Sequence, residues 1–237
     1  MWRGVAEFDR VLDGATMIMA GHPATKFVCY PISNQASRPG AQQVNFIAER
    51  RFDTTVLDQR EDWNRPGRLE DFLPAFEHFR FGWLDVPALI RAAPVVWVYP
   101  MVDRDPLLRW SHGPVTLLGD AAHPMYPIGS NGASQAILDA RVLTGCLKHY
   151  RTDLERGLER YDQLRRPATS QIVLSNRKQG PEAAMELVET RAPDGFARLE
   201  DVVAPAELEA IADKYKRLAG FSVHELNSRN SLVEPTP

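Results

Sequence analysis

The stretch Val115–Leu143 reads V-T-L-L-G-D-A-A-H-P-M-Y-P-I-G-S-N-G-A-S-Q-A-I-L-D-A-R-V-L. It opens on a short, wholly apolar run, Val115–Leu118, the pattern of a central strand buried on both faces. The run stops at Gly119-Asp120, which places Asp120 at the C-terminal end of a buried strand, where parallel-sheet folds bind ligands. Gly119, Ala121 and Ala122 are small enough to let a large flat ligand approach the backbone. The segment Ile128-Gly129-Ser130-Asn131-Gly132 then leads into a helix opening near Gly132. Its unpaired backbone N–H groups and the helix dipole favour an electron-rich oxygen or an anion. A carboxylate at 120, an acceptor only, suits ligand hydroxyls. In the helix, Ala133, Ala136, Ile137, Ala140, Leu143, Thr144 and Leu147 recur at helical spacing and mark the face expected to be buried.

Upstream, the chain is strand-like and rich in turns. Thr16–Ala20, Lys26–Pro31, Gln43–Ala48 and Pro94–Tyr99 read as short strands. Leu69–Phe79 and Val86–Ala92 read as short helices, with Pro74 and Pro87 in first turns or at breaks. Downstream, a charged helix is expected over about 153–179, kinked or divided at Pro167. Its dense charge over Arg151–Arg166 is read as a solvated face. Shorter helices follow near Pro181–Thr190 and Ala206–Leu218, ahead of a polar, frayed end. The expected fold is thus α+β grading into α/β, with an antiparallel sheet and C-terminal helices. The expected division is a substrate-side sheet domain over 1–112, a ligand-binding strand-loop-helix over 113–150, and a helical region over 151–237.

Composition narrows the functions. With 237 residues, 44% hydrophobic and 25% charged, the chain is long enough for a real buried core. A net charge of −3 gives no electrostatic reason to expect nucleic acid or an anionic membrane as partner. No apolar run approaches the roughly 18 residues of a membrane-spanning helix. The charged opening MWRGVAEFDR does not read as an export signal, so a cytoplasmic location is expected. Cys29 and Cys146 lie far apart, outside any metal or redox spacing, and read as free buried thiols. No metal site is expected, and no Ser/His/Asp or Cys/His constellation stands out.

The 115–143 stretch resembles the second FAD-binding motif of the class A flavoprotein monooxygenases, the para-hydroxybenzoate hydroxylase fold family. The elements that carry the resemblance are Gly119-Asp120-Ala121-Ala122-His123, Pro127, Gly129, Gly132 and Asp139-Ala140. The flanking segments Tyr99–Pro106 (YPMVDRDP) and Leu164–Thr169 (LRRPAT) resemble its phenazine-hydroxylase-like branch. The resemblance implies that Asp120 accepts hydrogen bonds from the FAD ribityl chain and that Pro127 sits against the flavin ring. It implies that the amides around Gly132 and Ala133 stabilise negative charge at the N1–C2=O edge, an oxyanion-hole role. Pro127 and Gly132 are then the residues of the flavin-ring environment. Gly119, Asp120, Ala121, Pro127, Gly129, Ser130, Asn131, Gly132 and Ala133 together make the cofactor site. Ser134 departs from the pattern, where many relatives place Asn. The implied activity is hydroxylation of an aromatic or phenazine-like molecule through a flavin hydroperoxide, with NAD(P)H as reductant. Tyr30, Trp97, Tyr99 and Met125 are candidates for lining the substrate pocket, and Phe27 belongs to the same aromatic set, with core packing the alternative for each aromatic. His123 and Asp139 are read as structural.

The family opens on a strand-turn-helix unit whose G-x-G-x-x-G turn binds the FAD pyrophosphate. No G-x-G occurs in this chain. The resemblance therefore covers about the last three-fifths of a full-length enzyme. Such a portion is expected to hold FAD poorly by itself, and its unpaired strand edge invites self-association or a partner chain. Two alternatives stay open: a flavin-dependent dehydrogenase or reductase that inserts no oxygen, and a non-catalytic fragment that binds a small molecule or a partner.

Overall fold

The computed structural model describes residues 1–52 and 62–228. These fall into two compact units, Met1–Met101 and Val102–Pro237, each taken by itself below.

The first unit is built on β1 (Trp2–Asp9), β2 (Ile18–His22), β3 (Thr25–Ser33), β4 (Ala41–Arg50), β5 (Arg65–Pro66), β6 (Arg80–Phe81), β7 (Leu84–Asp85), α1 (Val86–Ala92) and β8 (Val96–Val98). Among the described residues, six strands form one antiparallel sheet in the order β2-β3-β4-β1-β8-β5, and β6 pairs with β7 as a separate hairpin. The strands expected around 18, 27, 45 and 97 are all present. The strand at the centre of the sheet, β1, was not expected. It alternates as a half-buried strand should, turning Trp2, Gly4 and Ala6 inward. Gly4 is required there, because a Cβ would lie 2.7 Å from the Phe46 ring.

One face of the sheet carries the core. Phe27 and Phe46 are fully buried with ring centroids 5.9 Å apart, and Phe72 stacks on Trp2 at 4.8 Å. Each such side chain contributes on the order of 1.5–3 kcal/mol by leaving water. Helix α1 covers this face as expected. Asp85 caps it by accepting the Ala88 amide at 2.9 Å, and Pro87 sits in its first turn. The helix expected over 69–79 is instead two 3-10 turns, Leu69–Asp71 and Leu73–Phe76. Between them Phe72 leaves helical backbone at φ −139°, ψ −30°, so that its ring reaches Trp2. Both cysteines are buried, and they form no disulfide with each other. Burial pushes the Cys29 thiol up to about 11.

The second unit contains α2 (Gly132–His149), α3 (Leu154–Asn176), α4 (Ala183–Arg191), α5 (Pro205–Leu218) and α6 (Val223–Ser228). The helices expected near 181–190 and 206–218 are present, whereas the frayed end lies outside the described residues beyond 228. Three expectations are corrected. Val115–Leu118 is not a buried strand: Val115 makes a lone bridge to His112, and Val115 and Leu118 are 62% and 41% exposed. A strand needs a pairing neighbour, and no described strand lies beside this run. Second, α2 turns a different face inward. It buries Gln135, Asp139, Val142, Gly145 and Cys146, while Ile137 is 71% exposed. Polar partners described below select that face. Third, α3 runs undivided through Pro167, which rules out the division, one of the two outcomes expected there. Pro167 has no N–H to offer the carbonyl one turn back. The helix is held instead by the burial of Tyr161, Arg165, Thr169, Ile172 and Val173 along one side. No described helix is long and apolar enough to cross a membrane.

Candidate functional site

The loop between the 115–118 run and α2 brings the two ends of the sequence motif together. A Cβ built at Gly132 would meet one neighbouring heavy atom, Asp120 Oδ1 at 4.0 Å, so open space lies in front of this backbone. Asp120 is exposed, caps no helix, and receives no hydrogen bond or ion pair from a described residue. Across from it, no side chain caps the N-terminus of α2, which leaves the first N–H groups of the helix available. An unpartnered carboxylate acceptor thus stands beside a set of unpartnered amide donors. Gly119 and Asn131 are buried, Gly129, Gly132 and Met125 half-buried, and Ala121, Pro127, Ser130 and Ala133 exposed along the loop.

The loop is fixed from behind by Asp139, fully buried on α2. Its Oδ2 accepts from the Gly119 amide at 3.0 Å and from His123 Nε2 at 2.6 Å, and its Oδ1 accepts from Arg165 Nε at 2.8 Å. Burial alone would raise the Asp139 carboxyl, but the hydrogen bonds from His123 and Arg165 overcome it and hold the group below its ordinary value. His123 is therefore a structural partner, packed near Trp110, whose ring centroid lies 5.5 Å away. Arg165 also donates to Gln135 Oε1 at 2.6 Å, and Gln135 Nε2 donates to Asn131 Oδ1 at 3.0 Å. The charge on this part of α3 is thus not simply a solvated face. Arg165 is buried, and so is Asp162, which accepts from the Trp110 and Ser111 amides and from Arg166 Nε at 2.6 Å.

The other flanking motif has a structural use too. Arg177, at the end of α3, donates to Asp103 at 2.6 Å and to Asp105 at 2.8 Å, pinning the start of this unit. These hydrogen bonds hold the guanidinium above its already high ordinary value.

In the first unit, Phe27 belongs to the core. Tyr30 and Trp97 are half-buried and alternate with core residues of β3 and β8, which puts both on the opposite sheet face. With β4 and β1 between their strands, they lie about 14 Å apart and do not touch. Tyr99 follows β8, its ring 6.1 Å from that of Trp63.

Sequence reasoning missed Gln135, Arg165, Asn176 and Tyr215 as supports of the loop. A signal existed for the first: Asn131, Gln135 and Asp139 are spaced i, i+4, i+8, a polar stripe along an otherwise small-residue helix.

Comparisons with known proteins point to flavin-dependent hydroxylases as relatives. The family described as FAD binding domain matches residues 95–176. The phenazine 1,6-dicarboxylic acid hydroxylase PhzS of Lysobacter antibioticus is 42% identical over 94% of this chain and 52% of its own length. The 3-hydroxybenzoate 6-hydroxylase of Klebsiella oxytoca is 32% identical over 73% of this chain and 40% of its own length. Among solved structures, a salicylate hydroxylase substrate complex superposes with a TM-score of 0.59 at 24% identity, covering 92% of this chain and 55% of that one. Klebsiella pneumoniae HpxO complexed with FAD and uric acid gives 0.55 at 21% identity, covering 95% and 49%, a likeness of fold. The chain spans about half the length of the first of these curated relatives, and less of the second.

Proposed function

We propose that this chain, similar to the class A FAD-dependent aromatic monooxygenases and spanning about half the length of the first relative above, supplies the flavin-ring and substrate side of an enzyme hydroxylating an aromatic or phenazine-like small molecule. The observation that carries the reading is the free Asp120 carboxylate standing against the uncapped N-terminus of α2, with open space at Gly132. These residues fit the ribityl chain and ring of FAD. Asp120 would accept from ligand hydroxyls, and exposed Pro127 would line the ring's site. The Gly132 and Ala133 amides would stabilise negative charge on the ring, and Gly119, Ala121, Gly129, Ser130 and Asn131 would shape the backbone around it. When bound, FAD supplies the redox chemistry, taking electrons from NAD(P)H and activating oxygen.

The protein's own contribution is placement, water exclusion and fixed dipoles. Tyr30 and Trp97, on the sheet face opposite the core, and Tyr99 are the residues we assign to the aromatic substrate. The 115–118 run, exposed at Val115 and Leu118, is the segment we assign to self-association or a partner chain. The cellular location we assign is the cytoplasm.

Because the chain alone is expected to hold FAD poorly, the test fuses it to the G-x-G-x-x-G unit of a relative and supplies FAD, NADH or NADPH, isotopically labelled oxygen, and a phenazine carboxylate or hydroxybenzoate. The reading predicts label in the product, and its loss in Asp120→Ala. Substrate oxidation with no label incorporated would point to a flavin dehydrogenase.

A further inference from the structure

The site described so far leaves out a residue that comes to it from near the other end of the chain. Tyr215 is the buried residue of α5, and its hydroxyl lies beneath the glycine turn. That hydroxyl donates to Asn176 Oδ1 at 3.1 Å, with Ile128 O a second acceptor at 3.4 Å. Asn176 is itself fully buried at the end of α3, and its Nδ2 donates to Tyr126 O at 3.2 Å. The backbone on both sides of Pro127 is thereby held by one pair of side chains.

Contact is as close as hydrogen bonding. Gly129 sits at φ +74°, and a Cβ there would lie 2.2 Å from the Tyr215 hydroxyl oxygen and 2.4 Å from Cζ. The same ring lies 3.1 Å from where a Cβ would stand on Gly180, which closes the platform from the other side. One turn further along, the Ala219 carbonyl accepts Gln135 Nε2 at 3.1 Å, and that nitrogen also donates to Asn131 Oδ1. Helix α5 and the residue just past it therefore grip the turn at 128–129 directly, at 126 through Asn176 and at 131 through Gln135.

We propose that Tyr215, acting with Asn176, is a positioning residue: it sets the Tyr126–Gly132 turn in the shape that aims Pro127 and the first amides of α2 at the ligand. The proposal rests on the flavin reading for the ligand's identity, but the shape of the turn is a property of the protein alone. The turn is otherwise short of regular structure, holding one 3-10 turn at Ile128–Ser130 with two consecutive residues, Gly129 and Ser130, at positive φ. Such backbone persists only where its surroundings over-determine it. The bulk and hydroxyl of Tyr215 supply that determination.

The test compares wild type, Tyr215→Phe and Tyr215→Leu by amide hydrogen exchange in the cofactor-free chain, then by FAD titration of the same samples. Tyr215→Phe keeps the ring and removes the hydroxyl. It is expected to speed exchange at the Ser130 and Gln135 amides, which donate to the Pro127 and Asn131 carbonyls, roughly 5-fold, the equivalent of one hydrogen bond, and to weaken FAD binding by a similar factor. Tyr215→Leu is expected to exceed both effects. Unchanged exchange at these two amides in both variants, with only a lower melting temperature, would overturn the proposal and leave Tyr215 a packing residue of α5. Wild type that shows no response to FAD would defeat the flavin reading, while the exchange comparison would still decide the role of Tyr215.

Discussion

Replacing Asp139 with alanine is expected to destabilise the second unit by about 3–5 kcal/mol, measured as the loss in unfolding free energy in urea at pH 7. The size follows from what the substitution leaves behind. Arg165 is buried, always charged, and would lose its carboxylate partner while keeping only neutral acceptors, the side-chain and backbone oxygens of Gln135. The Gly119 amide and His123 Nε2 would lose their acceptor as well. Asp139→Asn keeps the volume and one acceptor oxygen, and is expected to cost less, about 1.5–3 kcal/mol.

The pH dependence of this contribution has a definite sign. The folded carboxyl lies below the ordinary 3.8, so the unfolded chain binds the proton more tightly. The stabilisation is fully present above the unfolded value and is lost as pH falls through the folded one. The gap between wild type and Asp139→Asn should therefore hold steady from neutral pH to about pH 5 and narrow below about pH 4. A gap that widened in acid would contradict the assignment. Because Asp139 anchors the Gly119 amide next to Asp120, both substitutions should also weaken flavin binding beyond their effect on the melting temperature.

The second large effect is at Gly129. Alanine there must take φ +74°, a conformation that costs a residue with a Cβ roughly 1–2 kcal/mol. It must also displace the Tyr215 ring, since its Cβ would lie within 2.6 Å of three ring or hydroxyl atoms. Overpacking of this kind adds about 1–3 kcal/mol. Gly129→Ala is expected to lose about 2–5 kcal/mol in total and most of its flavin affinity. Pairing it with Tyr215→Ala, which removes the clash, should recover part of the stability. A double variant no better than the sum of the two singles would show that the ring is not what the new methyl meets.

Much of the candidate site was legible because its chemistry is contiguous: Asp120, Pro127, Gly129 and Gly132 fall within a span of 13 positions and need no distant partner to be noticed. Helix α1 was equally clear, with Asp85 ahead of Pro87 and an apolar run between known breakers. Strand β1 was not, because its inward positions include Gly4 and Ala6, which give almost no hydrophobic signal even though the fold needs them small. The face of α2 was misjudged for a related reason. Its alanines look like a core stripe, yet the inward face is chosen by Asp139 and Gln135, whose partners lie on α3 and past α5. Arg165, Asn176 and Tyr215 reach the loop across 26, 50 and 87 positions, and periodicity within a window carries no information at that range.

The central claim is that residues 119–133 cradle the flavin, and the most direct measurement is residue-resolved. The isotope-labelled chain would be titrated with FAD into the millimolar range while its backbone amide resonances are followed. The account predicts that the largest shifts fall on Gly119–Ala121 and Gly129–Ala133 and that Asp120→Ala removes them with the fold intact. Shifts centred elsewhere, such as on the sheet face of Tyr30 and Trp97, or none at saturating FAD, would contradict it.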